Sequence, residues 1–190
     1  MQRSASLHVS AALAEREHLL IRRTRGYSAA VSELPDKLGA IAAAVAAFSE
    51  SRVHFALIGG LAVGIRSGIP RATLDVDFAI TTSADRAKLA ARLAVGGFRL
   101  TGQFAHSVNF LHESGEPVQL AFDAGFDPMI ERAEIVQVGE LELPVVTRDD
   151  LIAMKRRAAA DPARPRSKAL RDQADIALLE GDVPERDEGW

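Results

Sequence analysis

Two short apolar runs, "VHFALIG" at 53–59 and "TLDVDFAI" at 73–80, bracket a glycine-bounded segment, "GLAVGIRSG", and no other feature constrains the fold as much. The first run is rich in strand formers and predicts a buried strand. The second alternates, so it predicts a strand with one apolar and one polar face, and the segment between them predicts a short helix. Alternation sends Asp75 and Asp77 to one face together with Thr73, while Leu74, Val76 and Phe78 turn to the other and can pack on helices. An unpaired buried carboxylate costs on the order of several kcal/mol, so this acidic pair calls for a partner on its open face.

The rest of the chain organises around that core. "LPDKLGAIAAAVAAFSE" (34–50) begins with a Pro-Asp start signal and predicts a helix. "TSADRAKLAARLAVGG" (82–97) predicts another, with a Thr/Ser cap and a glycine stop. "SVNFLHE" and "EPVQLAFDAG" predict a hairpin about "SG", and "FDPMIERAE" a short helix from Asp127 with Pro128 in its first turn. "EIVQVGELELPVV" predicts a second hairpin about Gly139. Two helices, 147–160 and 167–181, follow, parted by "DPARPR". Strands mixed with helices and a closing helical pair predict an α/β (α+β) domain over residues 34–181. Residues 1–33, with Arg22, Arg23 and Arg25 close together, read as an arm or a loosely docked helix, and 182–190 as an acidic tail.

Composition removes several chemistries. The 190 residues include no cysteine, which excludes disulfides, thiolate metal sites and cysteine nucleophiles. No apolar run approaches the roughly 18 residues of a membrane helix, and "LHVSAALA" is ended at once by Glu15, Arg16 and Glu17. A soluble, cytoplasmic protein without a membrane partner is expected. The net charge is −3, but residues 148–171 set eight basic side chains against three acidic ones, a local +5. Such a segment can meet phosphates, and it equally fits a solvated helix face. The five histidines form no ligand set, and His54, within an apolar run, reads as a core residue.

Two strand steps put the Cα atoms of Asp75 and Asp77 about 7 Å apart. Paired carboxylates at that spacing can share divalent cations, with phosphate and water completing the oxygen shell. Gly59 and Gly60 end the first strand and open the short helix, so bare backbone N–H groups can approach a phosphate. Arg71 can reach a triphosphate or bridge a carboxylate.

A strand ending in a double glycine, followed by "RATLDVDFAI", resembles the signature of the nucleotidyltransferase fold shared with DNA polymerase β, and most closely that of AbiEii-like nucleotidyltransferases, a family that includes type IV toxin–antitoxin toxins. The similarity continues through Lys155 in "DLIAMKRRA" and Arg171, Asp172 and Asp175 in "RDQAD". The resemblance implies a mixed β-sheet flanked by helices, with a nucleoside triphosphate and Mg²⁺ (or Mn²⁺) bound. It implies transfer of a nucleotidyl group to an acceptor hydroxyl, RNA or tRNA foremost, and an antitoxin or regulatory partner. Asp75 and Asp77 would be catalytic metal ligands, and Gly59, Gly60, Arg71 and Thr73 would hold the nucleotide. Lys155 would contact phosphate, with Asp172 orienting it. A lysine among arginines also fits a plain exposed helix face, and Asp172 and Asp175 could pair with Lys168 and Arg171 instead.

One position departs from the pattern. Relatives of this fold carry a third acid on a neighbouring strand as general base, and "PVQLAF" has Gln119 there. An amide can orient a hydroxyl but cannot take its proton. Asp123 shares a strand face with Gln119 and is a substitute, although it also reads as a carboxylate at a strand end beside Gly125. Gln119 leaves a second function open: a nucleotide-binding regulatory protein of the same fold with little catalysis.

Overall fold

A computed structural model describes residues 36–182; the expected arm at 1–33 and nearly all of the expected acidic tail lie outside the described residues. Helix α1 (Lys37–Ser51) starts where Asp36 accepts a hydrogen bond from the Gly39 N–H at 2.8 Å, satisfying one of the free donors of the first turn. Strand β1 (Phe55–Ile58), helix α2 (Gly59–Ser67) and strand β2 (Val76–Ile80) form the core predicted from the two apolar runs. Then come α3 (Arg86–Val95), β3 (Phe98–Gln103), β4 (Ser107–His112) and β5 (Pro117–Ala121). A 3₁₀ turn (Ala124–Phe126) leads into α4 (Asp127–Glu131), β6 (Glu134–Val138) and β7 (Leu141–Val145). Helices α5 (Arg148–Ala159) and α6 (Arg166–Glu180) close the described chain, and none of the helices is long and apolar enough to cross a membrane.

The seven strands make one mixed sheet in the order β3-β4-β5-β2-β1-β7-β6. β2 lies at its centre, antiparallel to β1 and parallel to β5, while β1 runs parallel to β7. Both expected hairpins are present, β4–β5 and β6–β7. One face of the sheet is apolar: Leu57, Val76, Phe78, Ile80, Val118, Leu120 and Phe110 are all buried there. Phe48 of α1 meets Phe55 and Phe78 with ring centroids 4.7 and 5.1 Å away, which fixes α1 on the strand centre. The first turn of α1 is also tied to the β4–β5 turn by a buried ion pair, Lys37 Nζ to Glu116 Oε2 at 2.9 Å. Breaking one side of such a pair costs about 3–5 kcal/mol, because the other charge is stranded.

Three local readings are corrected, and one strand is added. β2 begins at Val76, so Leu74 sits before the strand and is 51% exposed instead of packing beside Val76 and Phe78. The cap of α3 is Asp85, which accepts from the Lys88 N–H at 3.0 Å, and Thr82 instead bonds Asp127. His54 precedes β1 and is exposed, not a core residue; its carbonyl accepts from the Thr81 N–H. Strand β3 carries no alternation that would announce it: Arg99, Leu100 and Thr101 are exposed in succession along this edge.

Candidate active site

Antiparallel pairing sets Ile58 opposite Asp77, so the residue that ends β1 and the acid on β2 lie side by side where α2 begins. Gly59 adopts φ +71°, and a Cβ there would collide with the Asp77 carboxylate. Gly60 is buried; a Cβ would meet the Arg71 guanidinium and stand 2.9 Å from Thr73 Cβ. The glycine pair therefore lets Asp77 and Arg71 close against the first turn of α2, whose leading N–H groups have no side-chain cap. Thr73 is buried and donates toward Asp75, 3.2 Å from its carbonyl and 3.3 Å from Oδ1. Asp75 and Asp77 are both half-buried. Burial first, then the Asp75 charge, pushes the Asp77 carboxyl up to about 7, against the pull of Lys155, Arg71 and Lys37.

Opposite the acids stands a group of cations held by α6. Asp172 and Asp175, three residues apart, are each only 2% exposed. Lys155 on α5 reaches both, at 2.9 Å from Asp172 Oδ1 and 2.7 Å from Asp175 Oδ2. Arg71 pairs with Asp175, and Arg164 with Asp172. Among the described residues the alternative partners do not pair with these acids: Lys168 makes no ion pair, and Arg171 donates to the Ser167 carbonyl. Burial raises the Asp172 carboxyl, yet the hydrogen bonds from Lys155 and Arg164 outweigh it and hold the group below the usual carboxylate range. Three cations on two acids leave a surplus positive charge, and Lys155 and Arg71 of this group act on Asp77, an arrangement suited to a polyanion with a bound cation.

Parallel pairing sets Gln119 of β5 directly across from Asp77. Its amide donates to Asn109 Oδ1 on β4 at 3.1 Å. Asp123 is not brought to the pair. It lies past the far end of β5, and its carboxylate accepts the Gly125 N–H at 2.8 Å to start the 3₁₀ turn. Ala121 is already level with Ala79, so Asp123 sits two further strand steps from the acids.

A family model described as the nucleotidyl transferase AbiEii toxin of a type IV toxin–antitoxin system matches residues 41–188. The chain belongs to the AbiEii family. As a family member it is a nucleotidyltransferase, and the matched span takes in every side chain described above as part of the site except Lys37. No curated protein matches it in sequence. Among solved structures, the antibiotic-resistance factor ANT(2″)-Ia is similar with a TM-score of 0.57 at 18% identity, over 77% of this chain and 85% of that one. The lincosamide adenylyltransferase LnuA gives 0.55 at 13% identity, over 76% and 96%. A nucleotidyltransferase-like protein from Paracoccidioides brasiliensis gives 0.54 at 21% identity, over 83% and 82%. At these identities the likeness establishes the nucleotidyltransferase fold.

The donor set of this AbiEii member suits a hard divalent cation. Among the described residues no group of three or more His, Asp or Glu side chains converges, so the protein offers the two carboxylates Asp75 and Asp77. Mg²⁺ is commonly held by one or two carboxylates, with phosphate oxygens and water filling the octahedron. Burial and the Asp75 charge together raise the Asp77 carboxyl, and a cation held between the two acids would offset that cost. Sequence reasoning missed Arg164 as a site residue. Its only signal was a place in a basic loop, and its partner Asp172 lies eight residues on, across a turn.

Proposed function

We propose that this chain moves a nucleoside monophosphate from a nucleoside triphosphate to a hydroxyl of an RNA acceptor in the cytoplasm, with Asp75 and Asp77 holding Mg²⁺. The observation that carries this reading is the opposition of the acidic pair to the Lys155–Arg71 group at the uncapped start of α2. Lys155, Arg71 and the leading N–H groups of α2 hold the triphosphate, the cations because they carry charge and the amides because the helix end favours anions. Mg²⁺ bound there would neutralise charge developing on the phosphate oxygens and polarise the α-phosphate. The acceptor oxygen forms a bond to the α-phosphorus, and the bond to the bridging oxygen breaks. Pyrophosphate leaves with the electron pair. Gln119 orients the attacking hydroxyl, whose proton passes to solvent, since the amide cannot accept it. As a type IV toxin relative, the chain would have its activity opposed by an antitoxin.

The test is incubation of purified protein with labelled nucleoside triphosphates, Mg²⁺ and total RNA. Label is expected on RNA, and it is expected to vanish in Asp77→Asn. Transfer surviving that change would overturn the metal assignment. Gln119 also favours a second reading, a nucleotide-binding regulator with little turnover. Calorimetry separates the two, because that reading requires nucleotide binding without pyrophosphate release.

A further inference from the structure

The register lines up Asp77 of β2, Gln119 of β5, Asn109 of β4 and Gly102 of β3 in one row across the sheet. Residues directly opposite on neighbouring strands share a face, so Gln119 stands between a carboxylate on one side and an amide on the other. The two ends of a carboxamide are opposites: Nε2 only donates and Oε1 only accepts. A glutamine left alone beside a carboxylate would turn Nε2 toward it, because a hydrogen bond to a charged acceptor is the stronger one. Here Nε2 donates instead to Asn109 Oδ1 at 3.1 Å, on the side away from Asp77. The amide is planar, so Oε1 is left as the end not committed to β4. At this level β3 offers Asn109 no rival partner. Gly102 has no side chain, and the Phe104 ring fills the place: a Cβ on Gly102 would stand 3.0 Å from the ring and 3.8 Å from Asn109 Cβ. Asn109 and Gln119 are both half-buried, which limits competition from water.

An amide oxygen turned to the side of an acid gains nothing by itself and becomes useful when a proton donor enters between them. We propose that Asn109 is a positioning residue: it holds the Gln119 amide with Oε1 on the Asp77 side, where Oε1 accepts the hydrogen bond of the attacking hydroxyl. The assignment rests on the nucleotidyl-transfer reading above and adds the residue that fixes which end of the amide meets the acceptor. A hydroxyl that donates to Oε1 keeps a lone pair of its own oxygen for the α-phosphorus. As that O–P bond forms, the bond to the bridging oxygen breaks, pyrophosphate takes the electron pair and the hydroxyl proton goes to solvent. With the amide reversed, Nε2–H would donate to that lone pair and oppose the attack.

The experiment joins label-transfer kinetics to NMR of the Gln119 side-chain amide, whose signal is assigned by its loss in Gln119→Leu. In the parent, Nε2–H is expected to show a nuclear Overhauser contact to the Asn109 β-protons. A contact to the Asp77 β-protons instead overturns the orientation, whatever the activity. Asn109→Leu keeps the size and removes the acceptor, while Asn109→Asp can only accept and so preserves the direction; melting curves verify that both fold. Asn109→Leu is expected to move the contact to Asp77 and to lower kcat roughly 3- to 10-fold, the worth of one hydrogen bond, with KM for the triphosphate unchanged. Asn109→Asp is expected to keep the parent kcat. Adding Asn109→Leu to Gln119→Leu is expected to lower kcat no further, because Asn109 then has nothing to hold. Losses that multiply in the double variant overturn the positioning role, and so does a loss in Asn109→Asp as deep as in Asn109→Leu. A parent that keeps Nε2–H on Asn109 yet labels no hydroxyl compound overturns the nucleotidyl-transfer reading, and the role of Oε1 with it.

Discussion

Gln119→Asp tests the position where the resemblance implies a third acid. Cα atoms across a parallel strand pair lie about 4.8 Å apart, so the new carboxylate would stand roughly 5 Å from that of Asp77. At an effective dielectric of about 20, two charges at that distance repel by about 3 kcal/mol. Protonation of Asp77, whose carboxyl already sits at about 7, relieves part of this, and losing the bond to Asn109 adds about 1 kcal/mol. A net loss of about 2 kcal/mol at pH 8 is expected in EDTA, or a melting temperature lower by about 4–8 °C. Millimolar Mg²⁺ should restore it, giving the variant a larger metal-induced shift than the parent. With a proton acceptor now opposite Asp77, kcat for label transfer should rise by about 10²–10⁴ where hydroxyl deprotonation limits the rate. Calorimetric melting with and without Mg²⁺, followed by single-turnover labelling, reads both effects. Equal melting temperatures in EDTA would refute the register argument, since a carboxylate placed there cannot escape the field of Asp77.

The raised Asp77 carboxyl makes metal-free stability fall as pH rises from about 4 toward 7, because the folded state holds a proton that the unfolded state has lost. Asp77→Asn should flatten that decline in chemical denaturation, and Mg²⁺ affinity of the parent should rise with pH through about 7 as the proton stops competing. Gly59→Ala, at φ +71° and against the Asp77 carboxylate, should cost about 1–3 kcal/mol and abolish Mg²⁺-dependent stabilisation; an unchanged Mg²⁺ shift would count against the close packing of α2 on the acid. Asp175→Asn leaves Arg71 and Lys155 without their shared anion, so KM for the triphosphate should rise about tenfold while KM for RNA holds, as read from initial rates.

The centre of the fold was legible because its signals are local. A strand, two glycines, a helix and an alternating strand announce themselves within 26 residues, and the hairpins carry their own turns. The edge was not, because β3 exposes one side chain after another and leaves no period to read. His54 and Leu74 misled for a related reason: each adjoins a strand without belonging to it, and apolar neighbours do not set where pairing starts. The acidic pair and the glycines could be named from spacing, and the family resemblance paired Asp172 with Lys155, while Arg164 and Arg71 could not be named as the other partners of Asp172 and Asp175. Lys168 and Arg171 are nearer in the chain, but α6 turns the two acids inward to cations from a loop, from α5 and from the segment before β2. Asp123 showed the opposite failure, sharing a strand face with Gln119 yet stranded at the wrong end of β5.

The pairing of Arg71 with Asp175 spans 104 residues of sequence, and Lys155 is set by the same helix. During synthesis, the acidic pair and its glycines are finished long before α6 exists to position the cations that face them. A growing chain therefore carries half of an active centre and no means of using it. Under the proposed function, transfer is deferred until α6 docks, and any product cut short before Asp175 lacks the anion that sets Arg71 and Lys155.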